Sequence, residues 1–143
     1  MSVRDEIVAA ARWGIRHERR IHYGEVRPIP LTWQLPLTTD CSGFATLCYW
    51  LAGADDPNGR GYDGSGWTGT LLRGMSHVSP HAVEPGDLVV WGRYPGHHVA
   101  IVLECGHDPL LCSHGQERGP MEIRYSVECR YQPPTTTWLS SLP

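Results

Sequence analysis

The stretch His97-His98-Val99-Ala100-Ile101-Val102-Leu103 sets the tightest limit on the fold. From Val99 onward every position is apolar, so a strand here has two faces to shield and belongs in the middle of a sheet. Its neighbours supply that sheet. Pro85-Gly86 marks a turn, Asp87-Leu88-Val89-Val90-Trp91 reads as a strand, and Tyr94-Pro95-Gly96 turns the chain back. Gly106-His107-Asp108-Pro109 is the next turn, and Leu110 to His114 a third strand. Met121 to Val127 alternates weakly and is read as a fourth.

Helices precede the strands. Ser2 and Asp5 have the spacing of a capping box, and Val3, Ile7, Ala11 and Ile15 recur at helical spacing, which predicts a helix from residue 3 to about 18. Its other face carries Arg4, Arg12, Arg16 and Arg19, read as a solvated surface. Pro28, Pro30 and Pro36 hold residues 20 to 39 in extended or looped backbone. Phe44, Leu47, Cys48 and Leu51 then mark one face of a second helix, with Asp40 as its N-cap and Gly53 as its stop. A glycine-rich stretch from 53 to 67 is irregular, and Thr68 caps a short helix from Gly69 to Met75. The expected fold class is α+β, with N-terminal helices packed on a central antiparallel sheet. One domain is assigned to residues 1–134. Residues 135–143, following Pro133-Pro134, read as a tail or linker stump.

Composition narrows the functions. At 143 residues with 41% hydrophobic and 19% charged positions, one globular core is expected. A net charge of -3 leaves no electrostatic footprint for nucleic acid. No apolar run approaches the ~18 residues of a membrane span. The opening Met1-Ser2-Val3-Arg4-Asp5-Glu6 shows no secretory signal, so synthesis in a cytoplasm is expected. Five cysteines, an odd number, do not suggest a disulfide framework.

The chemistry centres on Thr39-Asp40-Cys41-Ser42-Gly43-Phe44. Cys41 falls in the first turn of a helix, where unpaired N–H groups and the helix dipole favour a thiolate. The charge of Asp40 works against that thiolate, so a nucleophilic Cys41 needs a histidine from elsewhere. His98 opens the central strand and His114 ends the next, so a Cys41/His98/His114 arrangement is possible, with His97 an alternative to His98. Two other readings compete. Cys105, His107, Cys112 and His114 bracket one turn and could converge on zinc, although a tight turn with packed thiols is preferred. Tyr23, Trp33, Tyr62, Trp67, Trp91 and Tyr94 could line a groove of a non-catalytic binding module.

Asp40-Cys41-Ser42-Gly43-Phe44, then Pro85-Gly86-Asp87-Leu88-Val89, then His98-Val99-Ala100-Ile101-Val102, in that order, resemble the NlpC/P60 family of papain-like cysteine peptidases. The resemblance runs from about residue 20 to residue 120. Residues 58 to 72 and 113 to 120 look in particular like the peptidase modules of actinobacteriophage (mycobacteriophage-type) endolysins. The resemblance implies a papain-like fold and cleavage of a peptide bond in peptidoglycan stem peptides. Cys41 would be the nucleophile, His98 the general base and His114 the group orienting it, with Gln116 as fallback. Tyr23, Asp40, Ser42, Trp67 and Gln116 would face the substrate. No cofactor and no metal are expected. The partners would be stem peptides, not nucleic acid or membrane, with a wall-binding domain C-terminal to this one in a longer parent chain. The chain would be a monomer acting on the cell wall after release from the cytoplasm. The alternatives are an N-acetylmuramoyl-L-alanine amidase on the same fold, or a non-catalytic or metal-stabilised wall-binding module.

Overall fold

The computed structural model describes residues 1–115 and 119–143. Helix α1 (Val3–Arg16) starts at a reciprocal cap: Asp5 N–H donates to Ser2 Oγ and Ser2 N–H to Asp5 Oδ2, both at 3.1 Å. Its inner stripe is Ile7, Ala10, Ala11 and Gly14. Strands β1 (Ile21–Tyr23) and β2 (Leu37–Thr39) pair in parallel and deliver the chain to α2 (Cys41–Leu51). Every residue of α2 from Cys41 to Tyr49 is buried, as suits a helix apolar nearly all round. The two helices cross at Gly14, where a Cβ would run into the Phe44 ring.

Next come α3 (Thr68–Gly74), β3 (Ser76–Val78), β4 (Leu88–Trp91), β5 (His98–Glu104), β6 (Leu110–Ser113), β7 (Met121–Arg124), α4 (Tyr125–Glu128) and β8 (Thr136–Ser140). The last six strands form one antiparallel sheet in the order β3-β8-β4-β5-β6-β7. The class is α+β, as expected. One face of the sheet, with Leu88, Val90, Val99, Ile101 and Leu139, joins the core that α1 and α2 close. Its other face, with Val89, Trp91, Ala100, Val102 and Leu111, forms a second cluster with Val83 and Trp138. Both faces of β5 are therefore covered, which is why its sequence is apolar throughout.

Three expectations change. Residues 135–143 are not a linker stump: β8 lies between β3 and β4, and Leu139 is fully buried. Pro133-Pro134 signalled an end, but Thr136-Thr137-Trp138-Leu139 has the β-branched and aromatic composition that suits a pleated surface. The strand expected from Met121 to Val127 stops at Arg124 and gives way to α4. The arginine face of α1 is not simply solvated. Arg4 donates to Asp87 Oδ1 at 2.8 Å and to the Pro85 carbonyl at 3.0 Å, and Arg12 pairs with Glu104 and Glu122. These contacts clamp α1 onto the sheet.

Candidate active site

Cys41 is the first residue of α2 and is 9% exposed. Asp40 caps the helix, its Oδ1 accepting the Gly43 N–H at 2.8 Å. The second Asp40 oxygen meets Arg27 Nη2 at 3.1 Å, and the same nitrogen reaches Ser42 Oγ at 3.2 Å. Arg27 is anchored in turn by donating from Nε to the Gly66 carbonyl at 2.9 Å. The aspartate charge that counted against a thiolate is thus offset by a guanidinium. Asp40 and Ser42 are engaged in holding Arg27 and the helix mouth.

His98 is buried at the start of β5, and Cys41 acts on its ionisation, while His97 is exposed at the turn. His98 Nε2 lies 2.8 Å from Ser113 Oγ and 3.2 Å from Glu128 Oε1, and Ser113 Oγ donates to Glu128 Oε1 at 2.9 Å. Trp91 stacks on the imidazole, with centroids 5.7 Å apart and planes at 26°. With Nε2 occupied, Nδ1 is the nitrogen left for sulfur. The Cys41 side chain is close enough to the ring to act on its ionisation. Burial pulls the His98 ionisation down, but Cys41 and Glu128 overcome it and raise the pKa to about 9. The hydrogen bond from His98 holds the Glu128 carboxyl below the usual range against its own desolvation, with further help from Ser113 and Gln132. The site therefore favours an imidazolium between two acidic groups.

The expected orienting group is a correction. His114 does not bond His98. Its Nε2 donates to the Thr39 carbonyl at 2.7 Å, and its ring packs edge-on against Tyr23 and Phe44. Burial lowers its ionisation, partly opposed by the carbonyls of Thr39 and His22. The reason is period-2 geometry. Ser113 is paired with Ala100, which shares a face with His98, so Ser113 points to His98 and His114 points away. His114 instead pins the strand that leads into Asp40-Cys41, and Glu128 with Ser113 takes the orienting position. Tyr23 stands near Cys41, and burial followed by the charges of Cys41 and Asp40 pushes its phenol up to about 12. Gln116 lies outside the described residues.

The four residues considered for zinc do not converge. Cys105 Sγ reaches the Val83 carbonyl, Cys112 Sγ the Ala11 carbonyl and His114 the Thr39 carbonyl. Of the other residues named from sequence, Trp67 is 44% exposed and lines a cleft beside Arg27. Sequence reasoning missed Glu128, Ser113, Arg27 and the support from Trp91.

Two depressions flank the site. One, of about 690 Å³, is lined by Tyr23, His98, Gly115, Glu128 and Gln132 among others. The other, of about 570 Å³, is lined by Arg27, Arg60, Asp63 and Trp67 among others. A thiolate at Cys41 with a protonated imidazole beside it can attack a carbonyl and protonate its leaving group.

The architecture matches known structures. The chain is similar to the NlpC/p60 domain of peptidoglycan hydrolase SagA, at 22% identity and a TM-score of 0.57, over 96% of this chain and 98% of that one. It is also similar to an NlpC/P60 family protein from Bacillus cereus ATCC 10987, at 19% identity and a TM-score of 0.58. That match covers 98% of this chain and 40% of the other. The fold is that of NlpC/P60 domains. No family model matches the sequence, and no curated protein matches it. The acid behind His98, Glu128, comes from α4.

Proposed function

We propose that this chain is a peptidoglycan hydrolase that cuts a peptide bond of the stem peptide by a thiol mechanism. The observation that carries the reading is the convergence of Cys41, at the mouth of α2, with a His98 imidazole tied to Glu128 and Ser113. The likeness of the fold to a domain of a peptidoglycan hydrolase supports the choice of substrate.

In the proposed reaction the proton shared by the pair resides on His98, as its raised ionisation favours, and the Cys41 thiolate attacks the scissile carbonyl. Backbone N–H groups in the first turn of α2 hold the oxyanion. The His98 imidazolium protonates the departing amine, leaving a thioester on Cys41. His98 then takes a proton from water, which hydrolyses the thioester and releases the acid. Glu128 and Ser113 keep the imidazole in the tautomer and plane that both half-reactions need. Tyr23 and Arg27 flank the scissile region. We assign the chain to the lytic module of a phage endolysin, made in the host cytoplasm and acting on the wall as a monomer.

The test is release of new amino groups from purified cell walls, with mass spectrometry of the fragments. Endopeptidase action leaves stem fragments with a free amine inside the peptide. An amidase would release whole stems from N-acetylmuramic acid and would replace the endopeptidase reading. Cys41→Ala should abolish release while the far-ultraviolet circular dichroism stays unchanged. Lysis that survives this substitution would remove the thiol mechanism.

A further inference from the structure

The loop between α2 and α3 is built as a rigid wall, which an irregular segment of this length does not require for connection alone. Asp56 accepts the N–H groups of Asn58, Arg60 and Tyr62 at 2.9, 3.3 and 2.9 Å. That grip holds Tyr62 in the left-handed region at φ 57°, with its hydroxyl donating to the Ala54 carbonyl at 2.6 Å. Asn58 ties the loop to both flanking helices through Thr46 and Thr70, at 2.9 and 2.7 Å. Ile29 N–H donates to the Gly64 carbonyl at 2.8 Å, and Arg27 closes the far end at Gly66.

What this wall presents is a mixed surface. The 570 Å³ cavity has the Trp67 ring on one side and Arg60, Asp63, Ser65 and Glu25 around it. The indole is pinned against Gly69, where a Cβ would stand 2.8 Å from the ring. It meets half-exposed Tyr94 edge-on at 6.2 Å, and the Arg73 guanidinium covers Tyr94 at 4.3 Å. A fixed, wet aromatic face beside planar polar side chains suits a ligand with apolar C–H faces and many hydroxyl and amide edges. A saccharide carrying N-acetyl groups has that chemistry. The cavity is also tied to the site, because Arg27 on its lining bonds the two residues that bracket Cys41.

We propose that the Trp67 cavity is a glycan subsite, seating an N-acetyl sugar of the strand from which the stem peptide hangs. The inference rests on the peptidoglycan reading, and two experiments keep the two apart. In the first, kcat/KM is measured on a muropeptide that keeps its disaccharide and on the same stem without sugar. The wild type should prefer the glycan-linked form. Trp67→Ala should reduce that preference about tenfold, the size of one lost aromatic contact, with Trp67→Phe in between. A wild type without preference, or a preference unchanged in Trp67→Ala, overturns the subsite. In the second, an N-acetylglucosamine tetramer is titrated into the Cys41→Ala variant while the Trp67 indole N–H is followed by NMR. The signal should move at millimolar sugar, and the response should weaken in the Cys41→Ala/Tyr94→Ala variant, which keeps the indole reporter and whose fold is checked by the same spectrum. An unmoved signal overturns the subsite whatever the activity. A wild type that cuts neither substrate, yet shows the shift, overturns the hydrolase reading and keeps the subsite.

Discussion

The two halves of the reactive pair are built in different ways. Cys41 is specified locally: a cap at Asp40, a glycine three residues on, and an apolar run that forces the helix inward. His98 is specified from a distance. Its imidazole is fixed by Ser113 on β6, by Glu128 on α4 and by Trp91 on β4, none of which lies within six residues of it in the chain. A nucleophile needs a position and an electrostatic setting, which one helix mouth provides. A base needs a ring plane, a tautomer and a tuned ionisation, and three separate elements supply them.

The comparison predicts that the histidine half fails in graded ways. His98→Ala should be the most damaging change, lowering kcat on cell walls at least about a thousandfold with the fold retained. Kinetics with a circular-dichroism control decide it. Activity within tenfold of wild type would mean that another group serves Cys41.

The support beneath His98 can be broken without touching the site. Leu139 is fully buried on β8, and β8 pairs with β4, which pairs with β5. Leu139→Ala should cost about 2–5 kcal/mol of unfolding free energy, read from urea denaturation. A cost below 0.5 kcal/mol, roughly the scale of a surface substitution, would return residues 135–143 to the status of a loose tail.

Legibility followed the same division. Helix α1 with its capping box, the Asp40 cap, the antiparallel strands and the central place of β5 were all readable, because each depends on residues close in sequence. Cys41 is singled out by its local helix start, whereas His98 is preferred to His97 only through the family resemblance. The third group was misassigned because the expectation followed chain order, where His114 ends the next strand. The register pairs Ala100 with Ser113, and that one-residue difference turns the neighbouring serine toward the base and the histidine away. Glu128 had no local signal at all. It follows a weakly alternating strand and comes to His98 only because that strand breaks at Arg124. Arg27, similarly, finds Asp40 across a proline-rich loop.

Glu128→Gln sharpens the distinction between orienting and merely structural residues. The carboxylate is one of the two groups that raise His98, so its loss should bring the imidazole down from about 9 toward the ordinary histidine value. The alkaline limb of the pH–rate profile should move toward neutral pH, and kcat at pH 7 should fall about ten- to a hundredfold with KM little changed. His114→Gln is the counterpart. It removes the bond to Thr39, so it should lower stability by about 1–3 kcal/mol and leave the alkaline limb in place. If the limb moved with His114 and not with Glu128, the roles assigned to them would be reversed.

The smallest effect expected is on stability against pH, and its sign follows from the same pair. His98 has a raised pKa in the folded chain, so it contributes stability that is full below the unfolded value of 6.5 and is lost as pH rises through about 9. Glu128 is shifted the other way. Its contribution is present above the unfolded value of 4.5 and is lost as pH falls through the lower folded value. Together they favour the folded state in a window from about 4.5 to 9, bounded by the unfolded carboxyl and the folded imidazole. Other groups titrate at alkaline pH, so the informative quantity is the difference between chains. The Tm of the wild type should drop more between pH 7.5 and 10 than that of Glu128→Gln, whose imidazole is already neutral over most of that range. Equal drops would mean that the His98–Glu128 contact is not charged in the folded protein. The distant half of the site would then be held by packing on Trp91 and by the Ser113 hydroxyl alone.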